Sequence, residues 1–152
     1  RTNMALGSYL AGIAIANAGT GAVHALAYPL GSRFGTSHGI SNSVMFAHVS
    51  EANAPAVLAK FATLAGALGA KVDRMSVRES AAAYVREITS IVLDVGLPGS
   101  LAELGVQASD IDQLALDAAK QTRLLNNNPR ALSHESISTI YRKALSGERS
   151  GR

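Results

Sequence analysis

The sequence predicts an all-α fold, a bundle of about seven helices, and three observations predict it. Val, Ile and Leu recur at helical spacing and nowhere in the alternation of a half-buried strand. Helix-start and helix-stop signals punctuate the chain at short intervals, with no hairpin turn and no internal repeat between them. Aromatic residues are only 5% of the 152 residues while hydrophobic residues are 47%, so Ala, Leu, Ile and Val must supply the core and the helices must pack closely.

Thr2 to Ser32 carries no formal charge. Within it Met4 to Ala18 reads as one helix, broken at Gly19 and Gly21. A helix apolar on every side needs cover on every side, which predicts a central helix of a soluble protein. The same run raises a membrane-spanning reading. Asn3, Asn17, Thr20, His24 and Pro29 argue against it, and no membrane partner is expected. A second helix starts near Thr20 and carries Val23, His24, Leu26, Ala27, Tyr28 and Leu30. Its expected end is Pro29 to Gly31, because proline suits helix edges and glycine helix ends. Ser32 to Ser37 reads as a loop, and Gly39 to Ser50 as a third helix with Val44, Met45, Phe46 and Val49, followed by a break over Glu51 to Asn53.

Pro55 suits the first turn of a fourth helix, in which Val57, Leu58, Phe61, Leu64, Ala65 and Leu68 share helical spacing and Gly69 closes the run. Ser76-Val77-Arg78-Glu79 is a capping-box pattern opening a fifth helix to about Val95. Ala81, Tyr84, Val85, Ile88, Ile91 and Val92 form its apolar stripe, and Gly96-Leu97-Pro98-Gly99 ends it. A short turn over Leu101 to Leu104 leads to a sixth helix, started by Ser109-Asp110-Ile111-Asp112 with acidic residues where the helix dipole favours them. It carries Ile111, Leu114, Ala115, Ala118 and Leu125 up to the stop Asn126-Asn127-Asn128-Pro129. Ser133 caps a last helix with Ile137, Ile140, Tyr141, Ala144 and Leu145 inward, and the tail after Ser146 is expected to fray.

Composition excludes several functions. The net charge is +3 and the pI near 9.5, but the basic residues are scattered. The one loose cluster is Arg142, Lys143, Arg149 and Arg152. No nucleic-acid partner is expected, since such a footprint is a dense basic stripe with stacking aromatics. There is no Cys, so a metal would be held by His, Asp or Glu, and the absence fits a cytoplasmic protein. The chain begins with Arg, not Met, and is expected to start inside a longer polypeptide.

The stretch Gly21 to Asn42 holds the chemistry. His24 and Tyr28 lie one helical turn apart and share a face. His38 sits in Ser37-His38-Gly39 at a helix start, where the preceding loop can fold it back towards His24. Two neutral imidazoles suit Fe(II) or Zn(II), although a catalytic site needs at least a third ligand. On spacing alone, a buried His bonded to a backbone carbonyl competes with the metal reading. His48 reads as a surface or domain-interface residue and His134 as a solvated helix start. No GxGxxG, P-loop or GxSxG pattern occurs.

The residues from Leu10 to Asn53 resemble the C-terminal helical domain of the iron-containing alcohol dehydrogenase family. The resemblance lies in Leu10-Ala11-Gly12, Asn17-Ala18, Gly21 to Ala27 with His24, Pro29-Leu30-Gly31, and His38-Gly39 with Asn42. It continues in Asn128-Pro129-Arg130 before the last helix. The resemblance implies that residues 1–152 form the metal-binding domain of a two-domain enzyme, whose nucleotide-binding, Rossmann-like N-terminal domain lies outside this chain. It also implies that His24 and His38 are two of four ligands to Fe(II), or alternatively Zn, with an Asp and a further His upstream. NAD or NADP would lie between the domains, and the metal would polarise the oxygen of an alcohol or aldehyde during hydride transfer. Tyr28 stands where many family members carry a second histidine, and is the candidate catalytic residue for a hydrogen bond or proton relay. Ser37 stands where proline is usual, and Phe34 is a candidate wall of the substrate pocket. Tyr28 also brings in the related hydroxyacid-oxoacid transhydrogenases as an alternative, beside a maleylacetate-reductase-like relative and a non-catalytic assembly domain. Two ligands without a nucleotide fold imply weak metal binding and no turnover by this chain alone. A homodimer is an open arrangement for the whole enzyme.

Overall fold

The structure, a computed structural model, describes residues 1–147. Arg149 and Arg152 of the basic cluster, and most of the expected frayed tail, lie outside the described residues. Among the described residues seven α-helices follow in order: α1 (Thr2–Ala18), α2 (Ala22–Phe34), α3 (His38–Ala67), α4 (Val77–Asp94), α5 (Ile111–Ala119), α6 (Thr122–Asn126) and α7 (His134–Ser146). Short 3-10 turns occupy Ala102–Leu104 and Ala108–Asp110, and there is no strand among the described residues.

The main core joins α2, the first half of α3, α5, α6 and α7. Leu26, Leu30, Met45, Leu114 and Tyr141 are sealed within it, and Ala22, Ala25, Ala115 and Ala118 let the helices approach closely. A second cluster, built from Ala47, Ala65, Ala83, Tyr84, Val85 and Ile88, holds the far half of α3 against α4. The capping box at the start of α4 is present: Glu79 N–H donates to Ser76 Oγ at 3.2 Å, and Ser76 N–H donates to Glu79 Oε2 at 2.7 Å.

Four sequence expectations are corrected. The charge-free first helix is not a buried central helix: no residue of α1 is buried, and Met4, Tyr9 and Leu10 are among its exposed side chains. Periodicity reports that such a helix needs cover, not that the described residues supply it. The second helix runs past Pro29 to Phe34 and ends at Gly35, whose left-handed φ of 64° closes it. Proline removes only its own N–H, and the turn beyond it carries the sealed Leu30, so packing sustains the helix. The break expected at Glu51 to Asn53 lies later, at Val57 (φ −137°, ψ 28°), after the proline at 55. The sixth helix is split at Gln121, where the N–H turns back to Ala118 O at 3.0 Å. The apolar stripe resumes one position early across that split, at Leu124, so spacing alone did not record it.

No single helix among the described residues is long and apolar enough to cross a membrane. The pair α1 and α2 reaches that length and composition only together, and is bent by 105°.

Candidate metal centre

The α1–α2 bend delivers His24 to the edge of the core. Gly19 takes φ 71°, and a Cβ there would stand 3.0 Å from Asn127 Nδ2, so glycine meets both the conformation and the close approach. Helix α2 then buries Ala22, Ala25, Leu26 and Leu30 and turns its opposite face outward, leaving His24 half-buried and Tyr28 42% exposed.

The loop from Gly35 to Ser37 reverses the chain. Ser37 Oγ caps α3 by accepting from Ile40 N–H at 3.4 Å, Ser41 Oγ donates to Ser37 O at 3.1 Å, and Thr36 Oγ1 pairs with Ser41 Oγ at 2.6 Å. These contacts set the first turn of α3 beside α2 and bring His38 over His24. The two ring centroids lie 5.2 Å apart, tilted by 52°. Tyr28 completes the group, its ring centroid 5.9 Å from His38 and 6.3 Å from His24.

Burial, and then the neighbouring His38, hold the His24 imidazole below its ordinary pKa of 6.5, which favours the neutral form that can donate a lone pair. Asn42, one turn beyond His38, donates Nδ2–H to His38 O at 2.9 Å and sets the same nitrogen 3.0 Å from His38 Nε2. Its Oδ1 is buried without a hydrogen-bond partner. Asn42 and His24 line one pocket of about 380 Å³, walled by Ile15, Val23 and Phe46. Phe34 is not among the residues lining that pocket; it packs against the main core.

Two imidazoles in reach of each other, one biased neutral, with an orphaned amide oxygen alongside, suit part of a metal site. No group of three or more His, Cys, Asp or Glu that could hold a metal converges among the described residues, so any further ligand is not at hand there. The geometry leaves this cluster of rings open to solvent, with Tyr28 and His38 exposed. The family model for the Fe-containing alcohol dehydrogenase family, C-terminal, matches residues 1–145.

The chain belongs to the iron-containing alcohol dehydrogenase family.

Among its relatives, the long-chain-alcohol dehydrogenase 1 of Geobacillus thermodenitrificans is 40% identical over 147 residues, which cover 97% of this chain and 37% of that protein. The lactaldehyde reductase of Escherichia coli is 38% identical over 141 residues, covering 93% of this chain and again 37% of the relative. The crystal structure of a 1,3-propanediol oxidoreductase superposes with a TM-score of 0.86 at 35% identity, over 90% of this chain and 35% of that one. The chain therefore spans little more than a third of the proteins it matches, in the part that the family describes as C-terminal.

Within this family domain the structure corrects the placement of His48. It is not a surface residue but is 2% exposed, on the inward stripe of α3 with Ser41, Val44 and Met45. It lines a polar cleft of about 400 Å³ with Glu51, Arg130 and Lys143, away from His24. The stripe was visible in Val44, Met45 and Val49; His48 continues it by helical spacing. Sequence reasoning also missed the residues that hold α2 in place, Asn128 and Tyr141, because their partners lie far away in the chain.

Proposed function

We propose that this chain is the metal-binding, substrate-side domain of a metal-dependent, NAD(P)-linked alcohol dehydrogenase. The observation that carries the reading is the convergence of His24, Tyr28 and His38 from two helices into one cluster of rings. His24 and His38 would hold Fe(II), or alternatively Zn(II), with the remaining ligands supplied by a preceding part of the polypeptide. When bound, the metal supplies Lewis acidity to an alcohol or carbonyl oxygen, and the nicotinamide supplies the hydride acceptor or donor.

This chain's own residues do the rest. The depressed pKa of His24 keeps its nitrogen available near neutral pH. Tyr28, on the same face one turn on, can donate a hydrogen bond to the substrate oxygen or pass a proton to solvent, to which it is 42% exposed. Ile15, Val23 and Phe46 give the pocket beside His24 an apolar wall that suits the carbon chain of an alcohol or aldehyde. The named relatives act on alcohols and an aldehyde by their names, which agrees with that substrate class.

The exposed apolar helix α1 supports a two-domain protein as well. A charge-free helix bare on every side calls for a protein surface against it, and a nucleotide-binding N-terminal domain with its connecting helices would provide one. On this reading the chain alone binds metal weakly and does not turn over.

Metal analysis of the full-length protein tests the proposal. We expect one equivalent of Fe or Zn in the wild type and a loss of about tenfold or more in His24→Ala and His38→Ala, together with alcohol-dependent NAD(P) reduction. Full metal occupancy in both variants would sink the reading. Full occupancy without any alcohol-dependent reduction would leave a metal-binding assembly domain instead.

A further inference from the structure

We propose that Asn128 and Tyr141 are positioning residues for His24, two polar anchors that grip α2 on either side of that histidine. The inference rests on the reading of His24 as a metal ligand.

The sequence of α2 leaves its placement loosely determined. The helix starts after Gly21 with no side-chain cap and contains Pro29. Both uncertainties are resolved from a distance. Asn128 Oδ1 accepts from Ala22 N–H at 3.3 Å, standing in for the missing cap. A Cβ on Gly21 would lie 3.3 Å from that same oxygen, so only a bare backbone reaches the anchor without displacing it.

The Asn128 amide is itself locked. It exchanges hydrogen bonds with the Asn53 amide, donating to Asn53 Oδ1 at 2.7 Å and accepting from Asn53 Nδ2 at 2.9 Å, and it donates to Arg130 O at 2.7 Å. Asn53 is on α3, the helix that begins with His38, so the start of α2 is referenced to the element carrying the other imidazole.

The second grip is Tyr141 of α7. Its Oη donates to Leu26 O at 2.6 Å, and the residue is sealed at 0% exposure. Burial, and then the charge of Asp117, push its hydroxyl above the ordinary tyrosine range, so it stays a donor at every working pH. Ala22 and Leu26 stand two residues before and two after His24. An N–H fixed on one side and a C=O fixed on the other set both the height and the rotation of the turn between them. His38, by contrast, is held by neighbours on its own loop and helix, Ser37, Thr36 and Asn42. Neither anchor touches an imidazole; both act through the α2 backbone.

The test uses the full-length protein with Co(II) as the probe, titrated by visible absorbance, and His24→Ala as the control. Tyr141→Phe and Asn128→Ala are expected to weaken Co(II) binding about tenfold or more and to change the d–d band, as loss of a supporting residue does at metal sites. Asn128→Asp keeps an oxygen for Ala22 N–H but sets a carboxylate oxygen where the Nδ2 donor to Asn53 Oδ1 and Arg130 O stood, so it is expected to recover only part of the affinity lost in Asn128→Ala. If Asn128→Ala does not fold, Tyr141→Phe, which removes only the hydroxyl, carries the result. A lower thermal midpoint in Tyr141→Phe with wild-type Co(II) affinity and spectrum would show a packing role only and overturn the inference. If His24→Ala keeps the wild-type band and affinity, the ligand reading falls instead, and the anchors with it. Loss of Co(II) in His24→Ala beside unchanged Tyr141→Phe and Asn128→Ala overturns the anchors alone.

Discussion

Replacing Asn128 and Asn53 by alanine, singly and together, measures how much of the fold hangs on one pair of amides. Asn128 makes four hydrogen bonds, two of them with Asn53, and Asn53 is 7% exposed. At about 1 kcal/mol net for each bond, Asn53→Ala is expected to cost about 2 kcal/mol. Asn128→Ala loses all four, an expected cost of about 4 kcal/mol. The double variant loses the shared pair only once, so it should cost about 4 kcal/mol rather than the sum of the singles, a coupling of about 2 kcal/mol. Urea unfolding of the wild type and the three variants under one set of conditions reads these differences from the midpoints, provided the slopes agree. Additivity within about 0.5 kcal/mol would refute the reasoning, since it would mean that the two amides do not depend on each other in solution.

Other expectations follow from burial and charge. Leu26→Ala, at a sealed position, is expected to cost about 2–5 kcal/mol in the purified chain, whereas Leu10→Ala, on a helix with no buried residue, should change stability by less than about 0.5 kcal/mol; equal losses would show that α1 is packed after all. Ala25→Leu is expected to destabilise by about 1–3 kcal/mol through overpacking among Ala115 and Ala118, read as a lowered denaturant midpoint. Hydrogen bonds from Lys120 and Arg33 hold the Asp117 carboxyl down at about 2 from its ordinary 3.8. Its contribution to stability is therefore in place above about 4 and is lost as pH falls from 3.8 through about 2. Carbon-13 NMR of the Asp117 carboxyl should show that low midpoint and its rise towards 3.8 in Arg33→Ala; a wild-type midpoint of 3.8 would contradict the network.

What the sequence made legible was local. Ser76 and Glu79 announce a helix start because the capping box lies within one turn, and the box forms as read. His24 and His38 stand out because few residue types can ligate a metal. Their convergence depends on Gly35 in the left-handed region and on the Thr36, Ser37 and Ser41 contacts that turn the loop, which no periodicity reports. The illegible part is long-range. Asn128 reaches Ala22 across 106 positions and Tyr141 reaches Leu26 across 115, so an asparagine cluster reads as a helix stop and a tyrosine as core. Pro29 misled for a related reason: its local cost is real, but burial of the next turn outweighs it. His48 misled because its rotation was judged against His38 instead of against the apolar stripe it shares.

The bare helix α1 has a consequence for where motion stops. Its 17 residues bury nothing, so in the isolated chain it holds together by propensity alone, which Gly7 and Gly12 lower. Its backbone amides should exchange with solvent deuterium almost as fast as those of a coil. Protection should rise abruptly at α2, where exchange requires the core to open. The step falls at Gly19 to Gly21, where Asn127 Nδ2 donates to Ala18 O at 2.7 Å and to Thr20 O at 3.2 Å. Fraying that begins at the amino end is therefore expected to meet a fixed boundary before it reaches His24, so the His24 and His38 rings should keep their arrangement even where Ile15 of α1 leaves the pocket wall.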